Sequence, residues 1–258
     1  MEDNLIFTRR LWAEINMDAI RWNFEAIRAA VGEGVKLCCV VKADGYGHGA
    51  VVISRLYHEL GVDFFAVSNL DEALELRRAG ITEPILILGF TPANRCGDLS
   101  RMNIRQAVYS LDYARALSEE CEKQGVEVRA HIKADTGMSR IGLLPNAETI
   151  KIIKKIQALP NLEMEGLFTH LFAADERSKA SAMKQILSFG EFFNDLSAAG
   201  VEIPIKHCSN SAGIMEMETE DETMVRAGII LYGLYPSEEV KKERLPLRPV
   251  MRVLSHVS

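Results

Sequence analysis

The most reactive pattern in the chain is a ten-residue run, Val40-Val41-Lys42-Ala43-Asp44-Gly45-Tyr46-Gly47-His48-Gly49. Lys42 closes an apolar stretch that reads as a strand. An amine held there is costly unless its charge is used or desolvation lowers its pKa. A lowered pKa makes the amine a nucleophile able to form an imine with a carbonyl. The plain alternative is a lysine that reaches solvent from the end of its strand. The glycines after Lys42 could instead cradle a dinucleotide phosphate, but the third comes one position too early for that fingerprint. The next strand ends Val67-Ser68-Asn69 without an acid to hold a ribose, and Asp71 reads as a helix cap. The signal for a nicotinamide dinucleotide is weak.

Four more stretches place polar groups at the ends of apolar runs: Lys133-Ala134-Asp135-Thr136-Gly137-Met138-Ser139-Arg140, Thr169-His170, His207-Cys208-Ser209-Asn210-Ser211 and Arg226-Ala227-Gly228. Singly, each has a plain reading: Ser211 as a helix cap, His170 as a satisfied core histidine, Lys133 and Arg140 as a solvated rim. Their joint placement favours a shared site. Ser211 near a helix start and Gly228 after Arg226 suit the phosphate site that barrels often build after strands seven and eight.

The elements that must position these groups follow from short apolar runs separated by amphipathic stretches. Strands are expected at Leu37–Lys42, Phe64–Val67, Ile85–Leu88, Gln106–Tyr109, Val128–Lys133, Gly166–His170, Ile205–Cys208 and Ile229–Tyr232. Helices are expected at Ala50–Leu60, Asp71–Ala79, Asp112–Gln124, Ala147–Ala158 and Lys179–Ala199, with Asp71 and Asp112 as N-caps and Gly61, Gly80, Gly125 and Gly200 as stops. Helix-sized connections imply a parallel sheet, and eight strands fit an α/β fold of the (β/α)8 TIM-barrel type better than an open doubly wound sheet. Active sites of such barrels gather at the C-terminal ends of the strands. Arg10–Asn16 and Pro249–Val257 read as extra strands, with a helix starting at Asp18 and a charged, Pro-containing linker from Glu238 to Arg248.

The chain has 258 residues, 48% hydrophobic and 26% charged, the profile of a globular protein. Thirty basic against thirty-six acidic residues give a net charge of −6, which speaks against nucleic acid as a partner. No apolar stretch approaches the ~20 residues that span a bilayer, and the N-terminus lacks the pattern of a signal peptide. Neither a membrane nor secretion is expected. The five cysteines are scattered, with no C-x-x-C, so neither a disulfide framework nor a metal site is expected. They read as buried thiols of a reducing cytoplasm.

Taken together, these stretches resemble the bacterial alanine racemases, pyridoxal-phosphate enzymes of fold type III. The lysine motif at 40–49, the stretches around Thr136–Gly142, Thr169–His170, Ser209–Ala212 and Arg226–Gly233, and the strand Trp12-Ala13-Glu14-Ile15-Asn16 match in order and spacing. The resemblance covers essentially the whole chain. It implies pyridoxal 5'-phosphate as cofactor, held as an imine by Lys42, which also serves as base on one face of the substrate. Tyr46, Asn210, Ser211, Gly228 and Ile229 would surround the phosphate, and Arg140 would bond the ring oxygen. Arg226 would face the pyridine nitrogen, linked to His207, with His170 beside the ring. Lys133 corresponds to a lysine carbamylated in many members, where it neutralises the arginine equivalent to Arg140. The implied reaction is interconversion of L- and D-alanine for peptidoglycan synthesis by a cytoplasmic homodimer.

In the family the second base is a tyrosine of a C-terminal β-domain contributed by the neighbouring subunit. The expected division is therefore a strand segment of that second domain at 1–16, a cofactor-binding barrel at 17–236, and a linker with the first strand of a truncated β-domain at 237–258. Such a chain is expected to hold the cofactor but to racemise weakly or not at all. Two alternatives remain at this point: a serine or broad-specificity racemase, and a barrel that binds pyridoxal phosphate without turnover.

Overall fold

The computed structural model describes residues 10–217 and 221–256. Residues 1–9 of the N-terminal segment and Val257 of the last expected strand lie outside the described residues. Ten strands are present among them: β1 (Leu11–Ile15), β2 (Lys36–Val40), β3 (Phe64–Val67), β4 (Ile85–Ile87), β5 (Ile104–Val108), β6 (Val128–Lys133), β7 (Leu162–Phe168), β8 (Ile205–His207), β9 (Met224–Ala227) and β10 (Met251–Ser255). Eight of them form one sheet in the order β8-β7-β6-β5-β4-β3-β2-β9, every pair parallel. This is the expected barrel. Its seam between β8 and β9 carries no ladder and is bridged by Thr223 N–H donating to Lys206 O (3.0 Å) and Arg226 N–H donating to Ser209 O (3.0 Å). β1 and β10 pair with each other, antiparallel, from Leu11↔Ser255 to Ile15↔Met251.

The helices wrap the outside: α1 (Met17–Val31), α2 (Lys42–Gly47), α3 (Ala50–Glu59), α4 (Leu70–Arg78), α5 (Cys96–Arg101), α6 (Leu111–Gln124), α7 (Ala147–Gln157), α8 (Ala180–Ala198) and α9 (Ser211–Glu216). The five helices expected from the sequence lie within a residue of their expected ends. Their N-caps differ. Asn69 and Ser110 accept from the amides of Glu72 and Tyr113, so Asp71 and Asp112 fall inside the first turn, where their charge favours the helix dipole instead. Gly125 ends α6 in the left-handed region (φ 62°), as a helix stop should.

Three strand expectations need correction. The last barrel strand is Met224–Ala227, and Ile229–Tyr232 is a 3-10 turn. Its apolar side chains bury against α1, where Asn23 Nδ2 donates to Leu231 O, while alternation places Met224 and Arg226 inside the barrel. The sixth expected strand, β7, starts at Leu162, four residues early, because Glu163 turns outward to Arg129 (2.9 Å) between buried Leu162 and Met164. The first ends at Val40, so Lys42 stands beyond it. The Glu238–Arg248 stretch is seated on the barrel: Val240 and Leu245 join the main core, and the Arg248 guanidinium lies 3.6 Å from the Trp22 ring.

The main core fills the space between sheet and helices. Inside the barrel, cross-strand partners share a face, and the lining falls into two halves. On β2 to β4 it is apolar, with Cys38, Val40, Phe64, Ala66 and Leu86 clustered. On β5 to β9 it carries Arg105, His131, Lys133, His207 and Arg226, all buried.

Candidate active site

Lys42 opens α2, which is one turn of left-handed helix: Ala43, Asp44, Gly45 and Tyr46 all have φ between 51° and 59°. For non-glycine residues this conformation costs roughly 1–2 kcal/mol each, so the surroundings must impose it. Glu72 of α4 does so from one side, accepting from Ala43 N (3.0 Å) and Ser68 N (2.7 Å). Asp44 Oδ1 accepts from Ala50 N (2.8 Å) and so starts α3. On the other side Tyr232 packs against the rings of Tyr46 (5.0 Å) and His48 (4.6 Å) and donates to Val40 O (2.9 Å). The lysine is thereby set at the mouth of the barrel by contacts from distant parts of the chain.

Across the mouth, the loop after β6 is folded by Asp135, whose Oδ1 accepts from Gly137 N and Ser139 N, both 3.0 Å. That turn carries Met138 and Arg140 to the cleft. Gln185 of α8, buried, ties the neighbouring loops together: its Nε2 donates to His170 O (3.0 Å) and Thr136 Oγ1 (3.2 Å), and its Oε1 accepts from Phe172 N (3.1 Å). Asn210 caps α9 through Gly213 N (3.0 Å) and donates to Leu171 O (2.8 Å). Ser211, read as a possible cap, instead accepts from Gly228 N (2.9 Å). A side chain added at Gly228 would come within 3.2 Å of the Tyr46 hydroxyl and 3.4 Å of the Ser211 hydroxyl, so two hydroxyls face one small space.

Arg226 crosses the seam. Its NH1 donates to His207 Nδ1 (2.8 Å) and its NH2 to Thr169 O (2.7 Å) and Cys208 O (3.0 Å). His207 lies flat on Phe168, with ring centroids 4.9 Å apart. Lys133 Nζ donates to Ala134 O (2.6 Å).

These groups meet in a cleft of about 500 Å3 at the C-terminal ends of the strands, lined by Lys42, Tyr46, Lys133, Arg140, His170, Asn210, Ser211, Arg226, Gly228 and Ile229. Of the residues to which the sequence resemblance gives a catalytic or cofactor-binding role, His207 alone lies behind the lining. Four of the charged lining residues are basic (Lys42, Lys133, Arg140, Arg226) and one, Asp175, is acidic. The field suits an anionic guest. Burial and the charges of Arg226 and Arg140 push the Lys133 amine down to about 7, despite the raising pull of Asp135. Burial and the same cations bring His170 to about 3, so its ring is neutral. A larger groove of about 870 Å3 lies outside, against α8 and the end of α1, and contains none of Lys42, Arg140, His170 or Arg226.

Glu72, Gln185 and Tyr232 were not singled out in the sequence, nor were His131 and Glu165, which lie deeper in the barrel. His131 had a signal: in Arg129-Ala130-His131-Ile132-Lys133, alternation puts the histidine on the same inward face as Lys133. Among the described residues there is no cluster that could hold a metal ion, and no helix is long and apolar enough to cross a membrane.

The family described as "Alanine racemase, N-terminal domain" matches residues 15–236. The alanine racemase of Methanococcus maripaludis is 46% identical over 241 residues, 93% of this chain and 65% of that one. That of Clostridium perfringens is 45% identical over 253 residues, 98% of this chain and 65% of that protein. The structure of Clostridium difficile alanine racemase in complex with cycloserine superposes with a TM-score of 0.93 at 45% identity, over 96% of this chain and 68% of that one. The chain spans about two thirds of the length of the relatives it matches.

Proposed function

The chain belongs to the alanine racemase family, and we propose that its barrel is the pyridoxal 5'-phosphate-binding part of an isomerase that interconverts L- and D-alanine. The observation that carries this reading is the convergence of Lys42, Arg140, His170, Arg226, Tyr46, Ser211 and Gly228 on one cationic cleft.

The residues fit the cofactor. The Tyr46 and Ser211 hydroxyls beside Gly228 suit a phosphate, where any side chain at position 228 would intrude. The cleft is within the ~300–1,000 Å3 that encloses a small aromatic ligand. Lys42, Tyr46, Arg140, His170, Asn210, Ser211, Arg226, Gly228 and Ile229 would hold it, with His207 bracing Arg226. When bound, pyridoxal phosphate supplies an electron sink for the charge left on removal of an amino acid's α-proton. Lys42 is the residue that would hold the cofactor, and its Nζ, once free, would serve as the base for the α-proton on one face. Arg226 would face the pyridine nitrogen, and a guanidinium, far too weak an acid to transfer its proton there, would leave that nitrogen unprotonated, which disfavours transamination. His170, neutral, lies against the ring without adding charge. The proton on the opposite face is to come from a tyrosine of a neighbouring subunit; the described cleft lining contains one tyrosine, Tyr46, engaged at the Gly228 end.

Lys133 fits a carbamate. Its amine is partly neutral near pH 7 and can attack carbon dioxide, forming the C–N bond and releasing a proton, and the resulting anion would balance Arg140. A homodimer is part of the proposal. Phe90, Leu144, Phe172 and Leu234, which follow β4, β6, β7 and β9 around the mouth, are between 48% and 63% exposed and suit a second copy as cover. A cytoplasmic setting and a role in peptidoglycan synthesis go with the same reading.

Loading the 258-residue chain with pyridoxal phosphate tests it. We expect a visible absorption band, borohydride fixation of the cofactor to Lys42, and cycloserine bleaching of the band; D/L exchange of alanine should be slow in this chain alone. No band, or fixation at another lysine, refutes the cofactor assignment. Labelled bicarbonate should give a carbamate carbon resonance that is lost in Lys133→Ala.

A further inference from the structure

Behind Arg226 a line of buried groups runs through the barrel to its far side. His207 Nδ1 is 2.8 Å from Arg226 NH1, His207 Nε2 is 2.9 Å from His131 Nδ1, and His131 Nε2 is 3.0 Å from Glu165 Oε2. Glu165 is held from below by Arg105, whose Nε and NH2 donate to its two oxygens at 2.9 and 3.0 Å. The line draws on five consecutive strands of the barrel order, β5, β6, β7, β8 and, across the seam, β9.

The proton positions along it are forced. A guanidinium nitrogen can only donate, so His207 Nδ1 must be bare and its proton must sit on Nε2. That proton points at His131 Nδ1, which must therefore accept, so the His131 proton sits on Nε2 and goes to the Glu165 carboxylate. A second proton on either ring would set N–H against N–H. Burial favours the same neutral state, since it pushes both histidines below their ordinary range even with Glu165 pulling His131 upward.

The backbone is shaped for this line. The β6–β7 register runs Ala130↔Met164 and then His131↔Gly166, so Glu165 is the extra residue of a bulge. Bulges re-aim side chains at the cost of a ladder position. A Cβ at Gly166 would run into the His131 ring, so glycine is what lets the imidazole lie there.

We infer that Glu165, His131 and Arg105 are positioning residues for Arg226: the carboxylate fixes from the far end the same proton order that the guanidinium demands from the near one, so that His207 presents it a bare nitrogen and its orientation toward the cleft is locked. The proton order rests on hydrogen-bond geometry alone; its consequence for chemistry rests on the placement of Arg226 at the cofactor ring proposed above.

The first test needs no cofactor. In the 15N spectrum of the apo 258-residue chain at pH 7, His131 and His207 should both appear neutral with the proton on Nε2. A cationic ring, or a proton on His207 Nδ1, overturns the inference whatever the fate of the cofactor reading. In Glu165→Gln one half of the carboxyl becomes a donor, and Arg105 claims the remaining oxygen, so His131 lies between the new amide N–H and the His207 Nε2–H and should lose its single Nε2–H tautomer. Unchanged tautomers would remove Glu165 from the role. Should that variant not fold, the double replacement Arg105→Met with Glu165→Met removes the pair together; the tautomers are then set from Arg226 alone, and the His131 Nε2–H resonance should move away from its hydrogen-bonded position, an unmoved resonance removing Glu165 from the role. With pyridoxal phosphate bound, Glu165→Gln should convert the cofactor with L-alanine to pyridoxamine phosphate and pyruvate about tenfold faster. A rate equal to that of the unmodified chain, in a variant whose tautomers have changed, would overturn the link to Arg226.

Discussion

The two halves of the barrel interior solve the same packing problem with opposite materials. On β2 to β4, Cys38, Val40, Phe64, Ala66 and Leu86 fill the space with apolar volume. On β5 to β9, charged and imidazole groups share the space with Ile205 and Met224, and each polar group must be matched by another. The halves meet where Cys38 sits opposite Arg226 across the β2–β9 pair, and where Arg105 lies over Phe64. The reactive amine of Lys42 rises from the apolar half and faces the cations of the other. A site that must hold an anion beside a base gains from this split, because one wall supplies charge while the other stays dry and rigid.

The comparison breaks most visibly at Lys42. Lys42→Ala should abolish the visible cofactor band altogether while leaving the melting temperature close to that of the parent, because the residue stands beyond the strand at the mouth. Next in size are Glu165→Leu and Leu86→Ala, one on each side. Stranding buried Arg105 should cost about 3–5 kcal/mol, and emptying the Leu86 site about 2–5 kcal/mol, both read by denaturant unfolding.

Acid separates those two variants. Although burial raises it, hydrogen bonds from His131 and Arg105 hold Glu165 down at about 2. Its contribution is thus complete above the usual carboxylate range and is lost as pH falls toward 2. Glu165→Leu should lose that part of the acid dependence and Leu86→Ala should keep it; equal profiles would show that the carboxylate does not stabilise the polar half. Lys133 gives a slope of the same sign at higher pH, with the difference that its burial is a cost relieved as pH rises. Its folded value of about 7 lies below the unfolded 10.5, so the folded state binds fewer protons and stability should rise with pH between those values. Lys133→Met should flatten that slope and raise the melting temperature at pH 7. Smallest of all, Tyr232→Phe removes one hydrogen bond to Val40 O and should cost about 1 kcal/mol.

Much of the barrel was legible because its signals are local: apolar runs of strand length, amphipathic helices and glycine stops. Where legibility failed, a longer-range cause had won. Ile229–Tyr232 has the composition of a strand, yet the seam needs Met224 and Arg226 inside, and the apolar run serves the α1 contact instead. The caps at Asn69 and Ser110 lost to nearby aspartates in the reading because each competitor sits only two residues away. At the site, strand-end lysines, histidines and arginines were visible as types at positions. Glu72 and Gln185 were not, since a carboxylate in a helix's first turn and a glutamine in a long helix look like ordinary surface residues until tertiary packing turns them inward. The left-handed turn carried only a weak local sign: Asp44 and Gly45 tolerate that conformation, but Ala43 and Tyr46 do not favour it.

That turn makes the timing of assembly matter. Its external holds come from Glu72, 29 residues on from Ala43, and from Tyr232, 192 residues on from Val40. The loop that such a hold closes carries an entropy cost met only when the far segment arrives. During synthesis Lys42 is among the first barrel residues made, yet its final presentation waits for one of the last. A correctly set lysine therefore reports that the barrel has closed, and under the proposed function cofactor capture would be a test of completion.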